Sequence, residues 1–237
     1  MGRRFDASYV FEFLLRLLEY FQITMFIVAA SFLFGLLVGF LVALPRLYRI
    51  PVLDRCCAVY VSFFRGTPIL IQLFLIYFGL PEWAGRIGLD LSRVPALAFV
   101  ILTYALNTGA FVSEAIRAGV GSVDRGQVEA AYSVGMSPYQ AFVRIVLPQA
   151  LAVSLPVLAN LVIGGLKDSS LAFTVGVMEM TGRARTLGVA TQHFIEAYIA
   201  LSVIYYAVSL ALERGFRLLE KRMLRYEPSL AGKGGRG

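Results

Sequence analysis

Cysteine, histidine and tryptophan are nearly missing from this sequence of 237 residues, which holds two, one and one of them. Cys56 and Cys57 are adjacent and have no third cysteine to pair with. A bond between neighbours is strained, so a disulfide scaffold is excluded and reduced or buried thiols are expected. His193 stands alone, and nothing else has metal-ligand spacing, so no metal site is expected. No glycine-rich loop precedes a Lys-Ser/Thr pair, so the chain should not bind and split ATP by itself. The N-terminal residues do not read as a cleavable signal peptide either. Arg3-Arg4 leads into a stretch broken by Glu12, Arg16 and Glu19, with no short apolar core. Charge is scarce at 16% of residues, against about 25% in a soluble domain.

Apolar residues fill the gap. They make up 58% of the chain, with a mean hydropathy of +0.73, where a soluble domain has about 45–50%. Disorder is excluded on the same ground, and the composition is that of an integral membrane protein. The formal charge of +7 then reads as basic loops facing anionic lipid heads and cytoplasm rather than nucleic acid.

A helix needs roughly 20 predominantly apolar residues to cross a bilayer. Residues 25–44 carry no charge and end at Pro45-Arg46. Gly35 and Gly39 lie four apart within them, either a small-residue pair for close helix approach or ordinary membrane-helix glycine. Further apolar stretches run over about residues 59–80, 94–112, 145–166 and 194–212. Residues 171–177 are apolar but too short to cross, which suits a re-entrant segment buried in protein. Phe5, Tyr9, Phe13, Leu17 and Phe21 recur every fourth residue, the pattern of an amphipathic helix in the interface over residues 1–20. The expected fold is all-α, with five transmembrane helices in residues 21–225. A tail at 226–237 is expected to be disordered.

Lys and Arg placement sets an expected orientation. The side holding the N-terminus carries eight, and the side holding the C-terminus carries thirteen, seven of them after residue 212. The positive-inside rule then puts the C-terminus in the cytoplasm and the N-terminus outside.

The loop between the third and fourth spans, within residues 119–147, reads as two short helices. Asp124 and Gln127 resemble a capping pair, and the first helix should run through Glu129-Ala130-Ala131 to Val134. Gly135 stands where a left-handed C-cap is wanted. Ser137-Pro138-Tyr139-Gln140 offers an N-cap, a proline at the first helical position and a capping box. The result is a rigid elbow suited to a groove on a partner.

Polar residues inside the spans mark a path. A polar solute crossing the bilayer needs partners there, and broken helices supply free amides and carbonyls. Pro68 breaks the second span and frees a carbonyl one turn earlier, which Thr67 could cover. Thr67, Gln72 and Asn107, with Lys167, Asp168, Ser169 and Ser170 at the re-entrant segment, are the candidates. Each has a plainer role available, in helix contacts or, for Lys167 and Asp168, a local ion pair. Glu114 and Arg117 suit an ion pair on one helical face. Arg65 suits the interface or backbone carbonyls. Glu179 and Glu196 read as solvated outer carboxylates.

Glu129-Ala130-Ala131, Gly135, Ile145 and Leu147-Pro148 resemble the signature loop of ABC importer permeases at all seven fixed positions. Phe64-Arg65-Gly66-Thr67-Pro68, Gln72 to Pro81, Ser113 to Gly119 and Lys167 to Leu171 narrow the resemblance. They look like segments of the polar amino acid (histidine/glutamine/arginine/opine) uptake permeases, with Ala118 where a glycine is usual.

The resemblance implies a type I ABC importer permease whose elbow seats in a separate ATP-binding subunit through the seven signature residues. ATP and Mg would sit on that partner, with no cofactor and no catalysis on this chain. A second permease copy or related permease, and an extracytoplasmic amino-acid-binding protein, are the other expected partners. The expected location is a bacterial-type inner membrane. An ion-driven secondary transporter usually shows internal repeats, and none is found. A membrane enzyme would need a His, Cys or carboxylate constellation in the spans, which is missing.

Overall fold

The computed structural model describes residues 5–224; the tail expected to be disordered lies outside them. Described residues form helices and no strand. They are α1 (Ala7–Leu18), α2 (Phe21–Leu47), α3 (Leu53–Gly66), α4 (Ile69–Arg86), α5 (Ala96–Gly121), α6 (Arg125–Ser133), α7 (Pro138–Ala141), α8 (Leu147–Asp168), α9 (Met180–Thr191) and α10 (Phe194–Leu224). A π turn, Phe142–Val146, joins α7 to α8, and a 3-10 turn, Ser169–Val175, follows α8.

Helix α2 and helix α5 touch along their length, and glycine sets the distance. An ideal Cβ on Gly35 would lie 2.8 Å from the Thr108 Cβ, and one on Gly39 would lie 2.6 Å from the Val112 Cβ. From the other side, a Cβ on Gly109 would lie 2.6 Å from Val38 Cγ1. The glycine pair thus marks a close helix approach, the first of its two readings. Residue numbers rise together on both helices, so α2 and α5 are parallel. The chain between them must therefore return across the same thickness. α3 and α4 make that return as a pair bent by 113°. With four single helices long and apolar enough to cross, the bent pair makes the fifth crossing.

α8 runs antiparallel to α5. Ser154 Oγ donates to the Ala115 carbonyl at 3.0 Å, and a Cβ on Gly119 would lie 2.6 Å from the Ala150 carbonyl oxygen. α10 returns alongside α8, sharing a cleft lined by Asn160, Lys167, Tyr205 and Glu213. The ends of α2 and α5, the elbow and the C-terminal end of α10 consequently share one face of the bundle.

Helix α1 has 12 residues, about 18 Å, too short to cross. Asp6 caps it, and hydrogen bonds from the Ser8 side chain and amide hold that carboxyl below the usual range. Tyr9, Phe13, Leu17 and Phe21 of the four-residue stripe enter a core with Met180, Ala184, Leu187 and Ala197. The stripe therefore has protein against it. Glu196 corrects an expectation here, being buried rather than solvated. It accepts from the Asp6 amide and faces His193 Nδ1, each at 2.9 Å, while Tyr9 stacks on the imidazole. Glu179 is buried too, because its carboxylate caps α9 through the Thr181 and Gly182 amides.

Gly109→Val forces a branched side chain against Val38, and overpacking of this kind costs about 1–3 kcal/mol. Its melting temperature in detergent should fall clearly below wild type, whereas Gly85→Ala, into open space, should not lower it. An unchanged melting temperature for Gly109→Val would refute the close parallel contact.

Candidate functional site: a capped helix break and a helical elbow

Pro68 has no amide hydrogen, so the turn before it is left with carbonyls that α4 cannot satisfy. Three side chains close the gap. Thr67 Oγ1 donates to the Phe63 carbonyl at 2.8 Å. Gln72 Nε2 lies 2.9 Å from the Phe64 and Thr67 carbonyls and 2.8 Å from Thr67 Oγ1. Asn107 Nδ2, reaching from α5, donates to Gln72 Oε1 at 2.9 Å and to the Phe64 carbonyl at 3.2 Å. Gln72 is fully buried. The break, both amides and Thr67 therefore form one connected unit.

A carboxylate ties the neighbouring helix ends together. Glu114 on α5 pairs with Arg46 of α2, with Arg117 at 2.9 Å and with Arg65 of α3 at 3.7 Å. Arg46 also reaches Asp54 at 3.9 Å, and Arg65 lies over the Phe111 ring. The expected Glu114–Arg117 pair is present, extended to two further helices. Both Glu114 and Arg46 are largely shielded, so loss of one partner would strand charge away from water.

Beside the break lies a cavity of about 180 Å³ between α2, α4, α5 and α8, with a mostly apolar wall and a minority of polar groups. Ser31, Tyr104, Asn107, Thr108, Asn160 and Asp168 supply its polar lining. The Ser31 hydroxyl is buried and makes no hydrogen bond among the described residues. Tyr104 donates to the Asp168 carbonyl at 2.8 Å, fixing the end of α8. Lys167 turns the other way, into the cleft with α10. The adjacent charges thus diverge instead of forming a local pair. Ser169 and Ser170 bond back to the Leu166 and Lys167 carbonyls at 2.6 and 2.7 Å. Ser31, Tyr104 and the Glu179 cap escaped the sequence reading, since isolated polar residues in apolar runs carry no periodic signal.

The elbow follows from its own sequence. Asp124 caps α6 by accepting from the Gly126 amide at 2.7 Å. Gln127 does not complete that cap; its side chain accepts from Gln149 Nε2 instead. Gly135 has φ +83°, and the Met136 and Gly135 amides bond to the Ala131 and Tyr132 carbonyls, which is the Schellman pattern. Ser137 and Gln140 form the capping box, with Pro138 in the first turn. Glu129 and Ala130 are exposed, while Ala131 is buried beneath them. Tyr132, Val134 and Tyr139 stand out from the surface as an apolar patch, 49%, 75% and 76% exposed. Ile145 and Leu147 are half-buried and Pro148 exposed at the entry to α8.

Residues 35–225 match the family described as the binding-protein-dependent transport system inner membrane component. The chain belongs to this family. It is 50% identical over 223 residues to the L-cystine transport system permease protein TcyL of Bacillus subtilis, covering 94% of this chain and 93% of that one. It is 37% identical to the nopaline transport system permease protein NocM of Agrobacterium fabrum, covering 91% and 90%. The crystal structure of an amino acid ABC transporter with histidines contains a chain at TM-score 0.82 and 30% identity, covering 93% of this chain and 100% of that one. A methionine ABC transporter chain at 22% identity and TM-score 0.63 shares the fold. The permease is thus a multi-pass membrane subunit of an amino acid ABC importer with the type I fold. It is a transport subunit rather than an enzyme. Such a permease works with an ATP-binding subunit and a substrate-binding protein. Among the described residues no group of three His, Cys, Asp or Glu could hold a metal.

Gln72→Leu would leave the Thr67 carbonyl without its side-chain donor, remove one of the two donors to the Phe64 carbonyl and take the Gln72 acceptor away from Asn107. Each unsatisfied buried group costs about 1–3 kcal/mol. Thermal unfolding in detergent should show the loss, and Asn107→Leu should add little once Gln72 is gone. Fully additive losses would separate the two amides and refute the connected unit.

Proposed function

We propose that the permease imports a polar amino acid of the L-cystine type through a pathway that it forms with a second permease, a copy of itself or a related chain. The observation that carries the coupling half of this reading is the elbow. It is a doubly capped helix pair with a left-handed glycine turn, and it presents Tyr132, Val134 and Tyr139 outward. Two ATP-binding subunits, holding ATP and Mg, would take one elbow each. Glu129, beside the small Ala130, offers a charge-assisted acceptor to the groove. The substrate half rests on the 50% identity to a cystine permease. The polar groups set into the largely apolar cavity suit a zwitterion with an apolar body: Asp168 and the Asn107 side-chain carbonyl oxygen can face an ammonium, and Ser31 and Asn160 can serve a carboxylate. Thr67 and Gln72 hold Asn107 in place, and Lys167, Ser169 and Ser170 shape the far end of the path.

Orientation is part of the proposal. The basic excess lies on the face shared by the elbow and the C-terminal end of α10, which the positive-inside rule assigns to the cytoplasm. The N-terminus is then outside. The loops around residues 87–95 and 176–179 open on that outer side, where an amino-acid-binding protein would deliver its cargo.

A cysteine introduced by Glu129→Cys should react with a membrane-impermeant thiol reagent only from the cytoplasmic side, in a background with Cys56 and Cys57 replaced. Labelling from outside intact cells would overturn the orientation. Uptake of labelled L-cystine by the reconstituted complex, absent without ATP, checks the substrate and the energy source.

Backbone strain supplies a second test. A branched side chain at the left-handed Gly135 costs about 1–2 kcal/mol. Gly135→Val should therefore insert in the membrane but hold the ATP-binding subunit less tightly, while Gly135→Asn, which tolerates this conformation, should hold it nearly as well. Equal retention of the subunit by wild type and Gly135→Val in a pull-down would count against the elbow as the docking element.

A further inference from the structure

One side-chain contact joins the elbow to the long helix behind it. Gln149, in the first turn of α8, directs Nε2 at Gln127 Oε1, 2.6 Å away, and at the Ile145 carbonyl, 3.0 Å away. An amide nitrogen carries two hydrogens, so both are committed. The bond to Ile145 fixes the plane of the amide within its own helix, and the bond to Gln127 then holds α6 in a set position. Gln127 lies in the first turn of α6, next to the exposed Glu129 face. Among the described residues this is the one hydrogen bond between α6 and α8. Otherwise α6 meets the bundle through α7, the π turn and the buried Ala131.

We propose that the Gln127–Gln149 pair is the strut that passes movement of the elbow into α8. Both are positioning residues and touch no substrate. The inference rests on the elbow being the docking element for the ATP-binding subunit. Without the strut, a push on α6 can be taken up at the Gly135 turn and at the π turn, the kind of place where helices bend. With it, the push reaches the first turn of a 22-residue helix, about 33 Å long. The second half of that helix carries Asn160 and Asp168, which line the cavity beside the helix break. The strut thus connects the ATP-driven face to that cavity through one rigid element.

The test is the ratio of ATP hydrolysed to amino acid imported, measured in liposomes with the ATP-binding subunit and binding protein present. Gln127→Leu is the cleaner single variant, because it leaves the Gln149 bond to Ile145 in place. The ATP-binding subunit should still co-purify with Gln127→Leu, Gln149→Leu and the double variant. Each single variant should raise the ratio about 3- to 10-fold, the reach of one hydrogen bond. The double variant should be no worse than the worse single. Gln127→Glu combined with Gln149→Lys restores a donor and an acceptor, and should bring the ratio back toward wild type. An unchanged ratio in both singles, or losses that add in the double, overturns the strut while leaving the elbow reading intact. A wild-type complex that imports with no ATP-binding subunit on it overturns the elbow reading itself.

Discussion

Two parallel helices in contact impose the topology. α2 and α5 pack through Gly35, Gly39 and Gly109 with no room for a side chain between them. A parallel contact cannot be closed by a short loop, so the chain must recross the membrane between them. α3 and α4 are the only stretch available for that crossing. Their bend at Gly66–Pro68 follows from the proline and the glycine, and the break comes to lie beside α5, within reach of Asn107. The packing contact therefore requires the extra crossing, and the glycine and proline decide where its helix is open.

An open helix inside a bilayer is tolerated only where its freed groups find partners in protein or in a water-lined cavity. The permease does both. The Phe63, Phe64 and Thr67 carbonyls are met by side chains, and Asn107, one of the residues that meet them, also lines the neighbouring cavity. Gln72 and Asn107 are consequently held as one unit, with Gln72 buried behind the break and Asn107 on the cavity wall. The Glu114 cluster acts in the same direction, holding the ends of α2, α3 and α5 at one carboxylate.

Features written in consecutive residues were legible before the fold was known. The apolar runs, the break at Pro68 and the elbow from Asp124 to Pro148 depend on local chemistry, namely helix length, a missing amide hydrogen, caps and a left-handed glycine. Features made by distant partners were not legible. Glu179 and Glu196 look solvated because each sits near a span end, yet a helix N-terminus and the α1 amide enclose them. Gln127 looks like half of a capping box, but its partner lies 22 residues away. Lys167 and Asp168 look like a pair, and helical geometry sends them to different sides of α8. Neighbours in sequence point about 100° apart on a helix with 3.6 residues per turn.

That divergence bears on how a single helix can serve two surfaces. Asp168 faces the cavity shared with α2 and α5, while Lys167 faces the cleft shared with α10. Asn160 lines both spaces, so α8 is the wall between them. The wall is held along its length. Gln149 bonds to Gln127 at the elbow end, and the Tyr104 hydroxyl donates to the Asp168 carbonyl at the other. Between them Ser154 donates to the Ala115 carbonyl, and Gly119 lets α5 approach Ala150 closely. Two opposite charges one residue apart are thus kept on separate faces, because the helix that carries them is fixed to a different neighbour at each point.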